Sequence, residues 1–167
     1  MSSPQKYILK ETAISSVINA LFSVLFVFVI FGGQSSVSMQ GASGLLFDSI
    51  PQGIAIGFMG AFFPSFLTRK RIATGALSLP TRASSSSFLP LMPVLRALLF
   101  AIAGALVSLA VFAVPTFVIG IATLTFLQVL LLKTLWGALL GAGVSYIALR
   151  AALRDYSGPR GSDATTV

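Results

Sequence analysis

Charged residues leave four long gaps in the chain, and the gaps set out its elements. No Lys, Arg, Asp or Glu occurs from Thr12 to Phe47, from Ser49 to Thr68, from Ala97 to Leu132 or from Thr134 to Leu149. A helix needs about 20 apolar residues to cross a hydrocarbon core of about 30 Å. The first gap predicts one crossing, about 11–32, which runs out at the turn-prone Gly32-Gly33-Gln34-Ser35-Ser36. The second predicts a crossing over about 49–67. As one helix the third gap would reach about 54 Å, too far for a single bilayer, so it must fold back. Pro115 and Gly120 are its best breakers, giving one helix over about 94–118 and another over about 123–153. The expected fold is an all-α integral membrane protein, a bundle of four transmembrane helices.

The segments between the helices agree. Residues 33–47 are rich in Gly, Ser and Gln, and residues 72–93 carry Ser84-Ser85-Ser86-Ser87 between Pro80, Pro90 and Pro93, which reads as a flexible loop. The chain then divides into a transmembrane domain, 1–154, and a polar tail, 155–167, expected to be disordered. Composition leaves little room for a soluble alternative. Hydrophobic residues make up 56% of the 167 and charged residues 9%, against about a quarter charged in soluble domains. There is no Cys and no His, which excludes disulfides and thiolate metal sites and removes the commonest metal ligand and general base.

Net charge is +7, and its placement carries the information. Lys6 and Lys10 precede the first helix; Arg69, Lys70, Arg71, Arg82 and Arg96 surround the middle loop; Arg150, Arg154 and Arg160 follow the last helix. Only Lys133 among the 11 cations lies elsewhere. By the positive-inside rule both termini and the middle loop are cytoplasmic. Localisation is therefore an integral, multi-pass one, the inner cell membrane if the source is bacterial. The charge is a topology signal and not a nucleic-acid surface. Arg69-Lys70-Arg71 could in addition attract anionic lipid. The apolar run from Ala13 to Phe31 exceeds the core of a cleaved signal peptide, so the first helix is expected to stay.

Small residues recur at spacings of three and four: Gly53, Gly57, Gly60 and Ala61; Ala97, Ala101, Gly104, Ala105 and Ser108; Gly137, Gly141 and Ser145. Such stripes let helix backbones approach in lipid. Three of them exceed what four short helices should satisfy internally, which raises the expectation of a homo-oligomer or a larger membrane complex. A polar stripe, Glu11, Ser15, Asn19 and Ser23 with Ser16 beside it, descends the first helix and reads as interhelical hydrogen bonding or as the wall of a vestibule. Two short resemblances, Ala20-Leu21-Phe22-Ser23 with Ala105-Leu106-Val107-Ser108 and Gly53/Gly57 with Gly137/Gly141, lie 85 and 84 residues apart. They would make the chain two related hairpins in parallel; chance recurrence in Ala/Leu/Gly-rich helices is the preferred reading at this level.

Little catalytic chemistry is on offer. Glu11 and Asp48 fall at opposite ends of a span, about 30 Å apart, too far for paired-carboxylate work, and a Ser108–Lys133 nucleophile pair has no surrounding motif. The chain is read as no enzyme, without cofactor or metal. Lys133 is expected to form an ion pair with Asp48 near the outer interface, with Gln52 and Gln128 as the pair's hydrogen-bond partners, because a lone cation in a helix centre costs about 2.5–3.5 kcal/mol. The function expected is that of a small oligomeric permease or channel for a small solute or ion; the alternative is a non-catalytic accessory or assembly subunit of a larger membrane complex. The orientation is directly testable. A reporter active only in the cytoplasm should be active when fused after Ser86 or Val167 and silent after Ser38; activity at Ser38 inverts the topology.

Overall fold

The computed structural model describes residues 3–77 and 92–155. Four helices, α1 (Ser3–Phe31), α2 (Leu45–Ala73), α3 (Pro93–Phe117) and α4 (Phe126–Asp155), are joined pairwise by two short strands, β1 (Ser36–Ser38) and β2 (Thr123–Thr125). Each helix is long and apolar enough to cross a membrane, the pattern of a multi-pass membrane protein. Three of the four run further than the uncharged gaps. α1 begins at Ser3, α2 spans Leu45 through Arg69-Lys70-Arg71 to Ala73, and α4 reaches Asp155. The gaps measure the apolar core alone, whereas helical backbone bonding continues where Lys and Arg stems reach outward past the apolar segment. Residues 123–125 form a strand instead of opening α4. The tail after Asp155 and residues 78–91 of the middle loop, with Arg82 and Arg160, lie outside the described residues. Asp155, assigned to the tail on sequence, is a helical residue and is 6% exposed at its side chain.

The helices pack in the order α1–α4–α2–α3. α1 touches α2 only slightly, and α3 touches α4 only slightly. The two central helices, α2 and α4, run parallel, and each carries an antiparallel partner on its outer side. At one end, β1 and β2 pair antiparallel, Val37 opposite Leu124. Val37 is fully buried there with Phe31, Met39, Leu45, Phe112 and Val129, forming an apolar plug. The other end gathers the N-terminus of α1, the C-termini of α2 and α4 and the start of α3.

This arrangement carries an internal two-fold relation that the sequence showed only faintly. Residues 84 to 87 apart make matching contacts. Gln52 Nε2 donates to Ser23 Oγ at 2.9 Å, and Trp136 Nε1 donates to Ser108 Oγ at 3.0 Å. A Cβ on Gly137 would strike Ser23, and one on Gly53 would strike Ser108 at 2.8 Å. Glu11 pairs with Arg71 at one site; Arg96 pairs with Asp155 at the matching one. After α1 and α3 the chain turns at Gly33 (φ 86°) and Gly120 (φ 78°), a left-handed conformation suited to glycine just beyond a helix. Chance resemblance would not repeat a contact map, so the preference for coincidence is corrected: the chain is two helical hairpins related in parallel.

The small residues are used up within this packing. Gly53 meets the backbone of Gly104, Gly57 that of Phe100 and Ala101, and Gly141 the side chain of Asn19. Four helices therefore do satisfy all three stripes, because α2 and α4 present one small-residue face each to an outer helix and α3 answers with its own. The expectation of an oligomer loses this support. A Cβ at Gly57 would collide with fixed backbone, whereas one at Gly143 would meet nothing within 4 Å. Gly57→Ala should therefore lower thermal stability in detergent by about 1–3 kcal/mol through forced separation of α2 and α3, and Gly143→Ala, which meets nothing, should leave the melt unchanged or raise it slightly.

Candidate functional site

The polar stripe of α1 is the buried face of that helix. Glu11, Ser15, Asn19 and Ser23 recur every fourth residue and continue into Val27 and Phe31, all facing the bundle, as the 3.6-residue period requires. Opposite them α4 presents Gly137, Gly141 and Ser145, whose small size leaves room for hydroxyl and amide groups. Two directed hydrogen-bond chains result. Asn19 Nδ2 donates to Ser15 Oγ at 3.2 Å, Ser15 is bonded to Ser145, and Ser145 Oγ donates to the carbonyl of Gly60 at 2.9 Å. Separately, Gln52 donates to Ser23, and Ser23 Oγ donates to the carbonyl of Asn19 at 2.9 Å. Each hydroxyl donates once and accepts once, so each chain has one direction and its members polarise one another.

Ion pairs close the file at both ends. Arg71 Nη1 lies 2.5 Å from Glu11 Oε1, with the guanidinium also over the Tyr7 ring at 5.4 Å. Near the strand end Lys133 Nζ donates to Asp48. The Lys133 side chain is 0% exposed, and its ammonium lies 5.6 Å from the centre of the Phe31 ring, a cation–π distance. The apolar plug lies between this pair and the strand end of the bundle. Asp48 and Lys133 lie where α2 and α4 face each other, one position out of step with the 84-residue offset that relates these two helices: the counterpart of Asp48 is Leu132 and that of Lys133 is Ser49.

The glutamines are not where sequence reasoning placed them. Gln52 turns away from the Asp48–Lys133 pair to Ser23, one turn further into the bundle on the α1 side. Gln128 is exposed; its Oε1 accepts the backbone N–H of Thr125 at 2.9 Å, satisfying a donor at the start of α4 that would otherwise be orphaned. Each glutamine is held by another partner, Gln52 by the Ser23 hydroxyl and Gln128 by the backbone N–H of Thr125. Gly53, Gly57 and Gly104 pack α2 on α3, away from the file, and Ser108 is bonded to Trp136, not to Lys133. Sequence reasoning missed Arg71, Arg96 and Asp155 as pairing residues. A signal existed, since Glu11 and Arg96 are 85 apart and Arg71 and Asp155 are 84 apart, the same offsets as the repeat. Among the described residues no group of His, Cys, Asp or Glu could hold a metal ion.

No protein-family model matches the sequence, and no curated protein or solved structure matches it either. The site must be read from its own geometry. Removing one partner of a buried pair strands the other charge, at a cost of about 3–5 kcal/mol. Lys133→Met alone should accordingly abolish folded protein in detergent, and adding Asp48→Asn should restore most of the melting temperature; a double variant no better than the single one would show that the pair is not what holds α2 to α4.

Proposed function

We propose that this chain is a small permease- or channel-like membrane protein, in which a small solute passes along the polar file between α1, α2 and α4. One observation supports this above the rest: the continuity of the file. From Glu11 a polar side chain recurs every helical turn, about 6 Å, through Ser15, Asn19 and Ser23, crosses to Gln52 by a hydrogen bond, and reaches Asp48 one turn on. A series of polar side chains running from Glu11 to Asp48 would offer successive partners to a moving molecule. Asn19 and Ser23 stand about midway along α1, the depth at which transporter sites are generally found.

The same geometry favours an uncharged solute. Each ion pair along the file is internally neutral, so the file has no net charge to replace an ion's hydration shell. The plug of Phe31, Val37, Met39, Leu45, Phe112 and Val129 would serve as the gate at the strand end, and at the other end Arg71, with its side chain 41% exposed, would meet the solvent.

Purified protein reconstituted in liposomes tests the reading. Stopped-flow swelling should show glycerol or urea entering at least about tenfold faster than in protein-free vesicles, equivalent to a barrier lowered by about 1.4 kcal/mol, with no matching rise for K⁺. Asn19→Ala should remove most of that gain. Rates equal to empty vesicles for polyols, urea and monovalent ions would refute permeation. Fixed-ratio co-purification with other membrane subunits would then point to the accessory role.

A further inference from the structure

The two hairpins share the contacts described above, and at one of the places where they part a space opens. In the second hairpin the cleft between α3 and α4 holds Trp136, bonded to Ser108. The first hairpin has Gln52 at that position, bonded to Ser23, and has Ala55 where the second has Leu139. These smaller α2 side chains leave a cavity of about 220 Å³ between α1 and α2, lined by Asn19, Phe22, Phe26, Gln52, Ala55 and Met59 among others. Phe22 at its edge is 38% exposed, which places the mouth on the apolar outer surface of the bundle.

The cavity walls are almost wholly apolar, and the amide of Gln52, one of the lining residues, is incompletely satisfied just beneath them. Ser23 spends its proton on the carbonyl of Asn19, so it can only accept from Gln52. That fixes the amide: Nε2 faces Ser23, and Oε1 is the free end. Gln52 is 3% exposed, and its Oε1 has no hydrogen-bond partner among the described residues. A buried acceptor left unpaired in an apolar setting is costly, and a donor brought in by a ligand would relieve it. The remaining walls are two phenylalanines and a thioether, which prefer an aromatic ring. An apolar cavity of about 150 Å³ is enough to hold benzene, so this one has room for a ring with a substituent.

We propose that the α1–α2 cleft binds an uncharged aromatic molecule carrying a single hydrogen-bond donor, of the phenol class, taken up from the surrounding lipid. The ring lies among Phe22, Phe26 and Met59, and the hydroxyl donates to Gln52 Oε1. Binding rests on the cavity and its acceptor and is independent of flux: binding without permeation would overturn the transport reading and leave this one standing, and permeation without binding would do the reverse.

Fluorine NMR of the protein in lipid nanodiscs, with 4-fluorophenol and fluorobenzene as probes, provides the test. Both probes partition into lipid, so empty nanodiscs supply the baseline. The phenol should show a saturable bound state at one site per chain, about five- to tenfold tighter than fluorobenzene, the preference expected from one hydrogen bond. Gln52→Leu should erase that preference while the cavity still takes both rings. Because Gln52 also ties α1 to α2, a second variant guards against misfolding: Ala55→Leu installs the residue of the matching hairpin and should abolish binding of both probes with the melt unchanged. Binding that survives Ala55→Leu, or that shows no preference for the hydroxyl, would overturn the proposal. So would phenol binding absent throughout while Gln52→Leu changes the oligomeric state, since the cleft would then receive a helix from another chain.

Discussion

The contact between α2 and α4 at the two-fold axis governs the rest of this structure. The outer helices touch each other nowhere of consequence; each is held by one central helix, so the bundle is as stable as its central pair. Lipid provides no hydrophobic drive for helices to associate. Packing and polar contacts must supply it, and the α2–α4 seam has both: the Asp48–Lys133 pair near the strand end, and the bond from Ser145 to the Gly60 carbonyl further along. The apolar plug then has a simple role. It keeps water from the pair, and a pair without water is strengthened as long as both partners are present.

The Asp48–Lys133 pair breaks the two-fold relation. With the 84-residue offset that relates α2 to α4, Asp48 corresponds to Leu132 and Lys133 to Ser49, so neither charge has a charged counterpart. Two related halves of one chain can differ independently, and here each supplies one partner of a single buried pair. The end opposite the plug shows a related exchange: the acid stands on the outer helix in the first hairpin (Glu11 with Arg71) and on the central helix in the second (Arg96 with Asp155). Position is kept and sign is reversed.

The sequence made the helices legible because charge-free gaps report directly on what an apolar solvent will accept. The small-residue faces and the polar face of α1 were legible too, since a spacing of four places residues on one side of a helix whatever packs there. Partner choice was harder. That Gln52 would seek Ser23 and not Asp48 depends on which neighbour lies across the groove, and that in turn depends on α1 seating against α4 instead of its sequence neighbour α2. A hairpin reading pairs α1 with α2; the swap across the axis becomes visible only through long-range contacts. Asp155 shows the same limit, since a residue followed by a polar run is assigned to that run until its partner Arg96 is seen.

Duplication also gives a way to separate structural from functional polarity, as the two halves bear the same packing demands. Ser23 and Ser108 both accept a side-chain N–H from a central helix and both sit against a glycine, so a hydroxyl there is a requirement of packing. Asn19 has no polar equivalent, its counterpart being Gly104, whereas Gln52 corresponds to Trp136, whose Nε1–H makes the matching bond to Ser108. What the first hairpin has in addition is the Asn19 amide and the amide oxygen of Gln52, polar groups that the second hairpin packs without. They occur together, on facing helices, beside the cavity that Ala55 leaves where the second hairpin has Leu139. Polarity beyond what packing demands, next to volume that packing fills in the other half, is what the proposed α1–α2 site would draw on.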